Sequence, residues 1–89
     1  MEKRIGTVLI MLQPNADVNR LNEILSQHGH LIIGRQGIPF HERNYSIISL
    51  VLDGTTDEIG SLTGKIGRLE NIRMKSVLIK NKSQNNDEV

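Results

Sequence analysis

Residues 60–69 read GSLTGKIGRL, three glycines within eight residues and a Gly-Lys pair, directly after the apolar run SIISLVLDGTTDEI at 46–59. A phosphate-binding Walker A loop needs G-x-x-x-x-G-K-[ST] straight after a strand, because wrapped backbone amides hold the phosphates and the hydroxyl binds magnesium. Here the spacing from Gly60 to Lys65 is one residue too short, and Ile66 occupies the hydroxyl position. Ile59, Leu62, Ile66 and Leu69 instead recur at helical spacing. The segment is therefore a helix, and a nucleotide loop is excluded. Gly60, Gly64 and Gly67 then form a stripe on its flank, since each residue turns the helix by about 100°. Three helix-interior glycines cost about 2–3 kcal/mol relative to alanine. The stripe is expected to be a contact surface for something that comes close: a neighbouring helix, another subunit or a small ligand.

The remaining elements follow outward from this helix. Thr55 or Thr56 caps it, and Asp57 and Glu58 suit its first turn. Upstream, Tyr45–Leu52 reads as an apolar strand, preceded by the polar turn HERN at 41–44. Leu31–Pro39 is a strand weakened by two glycines, and Pro39 suits an edge position. A first helix carries Val18, Leu21, Ile24 and Leu25, with Asn15 or Asp17 as N-cap and Gly29 as C-cap. Ile5–Leu12 is a short β-branched apolar strand stopped by QPNAD, and Ile72–Ile79 closes the chain as a strand. Residues 1–80 are expected to form one domain, and the polar stretch at 81–89 to be disordered.

The order β-α-β-β-α-β predicts an α+β ferredoxin-like βαββαβ sandwich: an antiparallel four-stranded sheet with two helices on one face. In that arrangement the first and third strands are central, and they are the most continuously apolar here. The first strand offers Ile5, Leu9 and Met11 on one face and Val8, Ile10 and Leu12 on the other. The third sets Ile47 and Val51 against Ile48, Leu50 and Leu52. Strands that are apolar on both faces need cover on both. Two helices cover only one, and a bare apolar face marks an association surface. A homo-oligomer, dimer or tetramer, is expected.

Composition narrows the remaining function classes. A chain of 89 residues buries about 60% of its unfolded surface, so the core is marginal. Its aromatics are Phe40 and Tyr45, and the core must be aliphatic. The +1 formal charge gives no footprint for nucleic acid or membrane. Nor do the central strands carry the stacking aromatics of RNA-binding modules. Arg35, Arg43, Lys65, Arg68, Arg73 and Lys75 are interspersed with acids and read as solvated surface, so direct nucleic-acid binding is not expected. The apolar run after MEKR is only eight residues long with no small-residue cleavage site after it and is far too short to span a bilayer, and cysteine is absent, which together suit a cytoplasmic protein. His28, His30 and His41 would have to converge, or recruit Glu42, to hold a metal, and their spacing reads as turn or surface histidine. No triad or carboxylate pair is indicated. The chain reads as a non-enzyme with no cofactor.

Three stretches carry a resemblance: MEKR at 1–4, GRQGIPFHERNYSIISLVLDG at 34–54 and IGSLTGKIGRLENIRMKSVLIK at 59–80. Together they resemble the iron-only hydrogenase system regulators, with the LTGKIGRL helix the most specific part. The resemblance implies an ACT-like form of the ferredoxin-like fold, similar to the ligand-sensing half of nickel-responsive repressors. Such domains associate and bind small effectors near their interfaces. This sequence shows no ribbon-helix-helix segment and no cysteine for a nickel site of that kind, so neither direct DNA binding nor nickel sensing is expected. The implied role is a regulator that answers a small-molecule effector or a protein partner. A site is expected between the loop after the first strand (Asn15, Asp17) and the edge strand (Gly34, Arg35, Gly37). There Asn15 would hydrogen-bond the effector, Arg35 would pair with a carboxylate, and the glycines would admit close approach. The ordinary alternatives are a helix cap, a surface charge and strand bulges.

Overall fold

A computed structural model of the protein describes residues 2–79. The stretch 81–89, expected to be disordered, lies outside the described residues. The chain runs β1 (Arg4–Leu12), α1 (Val18–Gln27), β2 (Ile32–Phe40), β3 (Tyr45–Gly54), α2 (Thr56–Gly67) and β4 (Ile72–Leu78). Short 3-10 turns at Gly29–Leu31 and His41–Arg43 precede β2 and β3. The four strands form one antiparallel sheet in the order β2-β3-β1-β4. The two doubly apolar strands are therefore central, and Pro39 lies on an edge strand, where its missing N–H costs no ladder bond.

Alternation along β1 sorts the two faces of the sheet. Val8, Ile10 and Leu12 are buried, as are Leu50, Leu52 and Ile48 beside them on β3. They pack with Leu21, Ile24 and Leu25 of α1 and with Ile59, Leu62 and Ile66 of α2 in one cluster. Both helices thus cover the same face of the sheet. Fully burying each such aliphatic side chain contributes about 1.5–3 kcal/mol. No described helix is long and apolar enough to cross a membrane.

The helix ends follow local chemistry. At α2, Thr55 is the N-cap of a reciprocal capping box with Glu58. At α1, Asp17 caps by accepting the N–H of Arg20 at 3.0 Å. The far end of α1 differs from expectation. His28 is the C-cap, and Gly29 opens a 3-10 turn; no described glycine has a positive φ. The reason lies in the His28 ring, which is buried and donates from Nδ1 to the Ile24 carbonyl at 2.9 Å. A side chain thus satisfies an orphan carbonyl that a left-handed glycine motif would otherwise serve. The left-handed positions are Asn44, closing the β2–β3 connection, and Asn71, before β4. Asparagine tolerates that conformation better than most residues.

Candidate functional site

The five residues expected to form a site are held apart by local roles. Asp17 caps α1, and the Asn15 carbonyl accepts from Asn71 Nδ2 at 3.4 Å. Arg35 pairs with Leu50 across the sheet and so lies on its helix-bearing side. There its Nη2 donates to Asn22 Oδ1, in the middle of α1, at 3.1 Å. Gly34 packs beside Val51, while a side chain at Gly37 would meet open space. A bulge does fall at Ile32/Gly34.

A cleft lies nearby, at the end of the sheet where β1 runs into α1. Its volume is about 240 Å³. The apolar part is Leu12, Pro14, Ala16, Val18 and Pro39; the polar part is Gln13, His41, Asn44, Tyr45 and Ser46. It exists because α1 begins only at Val18 and leaves the corner beside Pro39 and Ser46 uncovered. Backbone bonds brace this end: Gln13 N–H donates to the Asn71 carbonyl at 2.9 Å, and Ala16 N–H to the Gln13 carbonyl at 3.0 Å. No acidic side chain lines the cleft. In the sequence the only cue was a proline on each side, at positions 14 and 39.

The opposite face of the sheet is bare among the described residues. Leu9 is 54% exposed, Val77 62%, Ile5 41% and Val51 39%. Met11 and Ile47 pair on this face as well. Ile5, Thr7, Val51, Val77 and Ile79 line an apolar depression of about 250 Å³. A second, of about 230 Å³, lies by Leu9, Met11, Arg73 and Lys75. Soluble single domains rarely expose a contiguous apolar surface of this kind without a use for it.

The glycine stripe on α2 also faces outward. A Cβ built at Gly60, Gly64 or Gly67 finds no atom within 4 Å, so α1 does not pack against it. The close approaches inside the subunit are elsewhere. A Cβ at Gly6 would lie 2.5 Å from Leu78 Cδ2, and one at Gly54 2.6 Å from Leu31 Cδ2. The three histidines occupy separate places: His28 in the core, His41 in the cleft, and His30 with Nε2 3.9 Å from Glu58 Oε2. The Glu58 carboxyl is held below its ordinary range, first by the Thr55 backbone N–H, then by the Thr55 hydroxyl and the charges of His30 and Lys3, against some desolvation.

An antiparallel β2-β3-β1-β4 sheet with two helices on one face defines a ferredoxin-like α+β sandwich. Within that class, the family model described as "TM1266-like: Iron-only hydrogenase system regulator, putative" matches residues 4–76, and the chain belongs to that family. The solved structure of the uncharacterized protein TM1266 from Thermotoga maritima is 38% identical, with a TM-score of 0.82 over 89% of this chain and 100% of that one. Two more distant structures also match. One is LarC2, the C-terminal domain of a cyclometallase involved in synthesis of the NPN cofactor of lactate racemase (12% identity, TM-score 0.43, 84% of this chain and 56% of that one). The other is CPII, a nitrogen regulatory PII-like protein from Thiomonas intermedia K12 (9% identity, TM-score 0.44, 90% and 100%). No curated protein matches the chain.

Proposed function

We propose that this chain is a non-catalytic regulatory domain of the iron-only hydrogenase system, working in the cytoplasm as a homo-oligomer that binds a small effector. The family's description supports the regulatory part, and the absence of cysteine suits a reducing compartment. The observation that carries the oligomer is the bare sheet face, with Leu9 and Val77 more than half exposed on a sheet whose other side is a buried aliphatic core. A second copy laid on that face gives a dimer. The open glycine flank of α2 offers a further contact for a tetramer. The effector belongs in the end cleft, whose lining sets one histidine, a tyrosine hydroxyl and amide groups around an apolar floor without an opposing carboxylate. That lining suits a small neutral or anionic molecule.

Native mass spectrometry of protein purified from its own cytoplasm tests both parts. The expected spectrum shows a dimer or tetramer with added small-molecule mass, and His41→Ala reduces that mass without altering subunit number. A monomer overturns the oligomer. An oligomer without added mass, and with no thermal shift on titration of a cytoplasmic metabolite pool, leaves a structural interaction module in place of an effector sensor.

A further inference from the structure

We infer that the second copy docks on the bare sheet face in one orientation, set by Asp53 of each subunit against the partner's Lys75 and Arg73. This rests on the oligomer proposed above and specifies its interface. Cross-strand pairs point to the same side of a sheet. The pairings Ile5↔Asp53, Leu9↔Lys75 and Met11↔Arg73 therefore put these three charged residues on the bare face with Leu9 and Val51. They stand at opposite corners, acid at the β3 end beside Ile5 and bases on β4 beside Leu9 and Met11. Strands lie about 4.8 Å apart with about 3.4 Å per residue, so Asp53 and Lys75 are roughly 17 Å apart within one subunit. That distance is too long for an ion pair, and the described residues show none for Asp53, Arg73 or Lys75.

The same lattice places the midpoint of the Asp53–Lys75 line on Thr7 of β1. A two-fold axis lying between the sheets, above Thr7 and at right angles to that line, exchanges the two corners. Each Asp53 then meets the partner's Lys75, and the contact repeats by symmetry. The position on the axis suits burial. The Thr7 hydroxyl already donates to the Leu50 carbonyl at 2.8 Å, so no unpaired polar group is trapped there. Around it lies the apolar depression of Ile5, Val51 and Val77. The footprint is sufficient: four strands of about nine residues cover roughly 19 by 30 Å, near the ~800 Å² per partner of a standard interface once side-chain relief is added. Other axes do worse. One running across the strands above Thr7 stacks β4 on β4, laying Lys75 over the partner's Ile79 and Asp53 over its Ser49, with no acid opposite a base. One along the strands above Thr7 lays Asp53 over the partner's Ile79 on β4, again with no base to meet it. Charges buried across an interface without a partner disfavour association.

Charge reversal tests the register. Sedimentation velocity is run on the parent, on Asp53→Lys, on Arg73→Glu/Lys75→Glu, and on the three changes combined, with circular dichroism confirming each fold. The expected result is a dimeric parent, a dimer Kd raised at least about ten-fold in each charge-reversed protein, and recovery to within a few-fold in the combined one. A dimeric parent whose reversals leave Kd unchanged, or whose combined variant fails to recover, overturns this orientation and leaves the oligomer standing. A monomeric parent overturns both.

Discussion

The backbone N–H of Thr55 donates to Glu58 Oε1 at 2.9 Å while the Glu58 N–H donates to Thr55 Oγ1 at 3.1 Å. These reciprocal bonds join the end of β3 to the start of α2 and satisfy two donors that would otherwise be orphaned. Thr55→Ala should therefore destabilise the fold by about 1 kcal/mol, with Thr55→Ser retaining most of that. Urea denaturation of the three proteins at neutral pH measures it. A Thr55→Ala protein as stable as its parent would mean that water replaces the hydroxyl without loss.

The same pair gives the fold a pH dependence of known sign. The bond from the Thr55 backbone N–H holds the Glu58 pKa below the ordinary 4.5. A depressed carboxylate contributes stability that is present above the unfolded pKa and lost as pH falls through the folded one. The advantage of the parent over Glu58→Gln should be constant near neutrality and shrink below 4.5. Paired denaturation curves across that range read it directly. An advantage that grows on acidification would contradict the assignment.

Two glycines should answer alanine in opposite senses. Gly64 is interior to α2 with open space around its missing Cβ, so Gly64→Ala should stabilise the isolated subunit by up to about 1 kcal/mol. Gly54→Ala forces a Cβ to within 2.6 Å of Leu31 Cδ2 and 3.1 Å of Glu58 Oε1. Leu31 is fully buried, so its relaxation is restricted, and the loss should be about 1–3 kcal/mol. Thermal melts of both variants suffice. If Gly64→Ala raises subunit stability yet weakens self-association, the open stripe is a contact between subunits.

This contrast shows what the sequence could carry. The stripe Ile59, Leu62 and Ile66 specified α2, and the double apolarity of Ile5–Leu12 and Ile47–Leu52 specified central strands with one face left bare, because both patterns are local periodicities. Where backbone approaches side chain is not local. Gly6 meets Leu78 and Gly54 meets Leu31 only after strands pair and a turn folds back, so periodicity pointed to the glycines on α2 instead. The cleft is likewise a product of distance in sequence, with Pro14 on one wall and Pro39 on another. Arg35 was legible as a charge on the edge strand, but its bond to Asn22 depends on which side of β2 the bulge at Ile32/Gly34 leaves it.

Neighbouring residues of β1 give the sharpest test of the two faces. Val8 is fully buried beneath the helices, whereas Leu9 is 54% exposed on the bare face. Replacing Val8 by asparagine buries an amide with no partner among aliphatic side chains, a cost of about 1–3 kcal/mol added to the lost packing. In a domain this small that approaches the whole stability margin. Leu9→Gln meets solvent in the isolated subunit and should leave its fold intact, since exposed substitutions stay within about 0.5 kcal/mol. In the assembly, however, the same change sets an amide into an apolar interface. Val8→Asn should therefore lower the melting temperature sharply, while Leu9→Gln should give a folded protein shifted toward monomer in sedimentation velocity. A folded Leu9→Gln protein that associates like its parent would show that the partner does not cover this face.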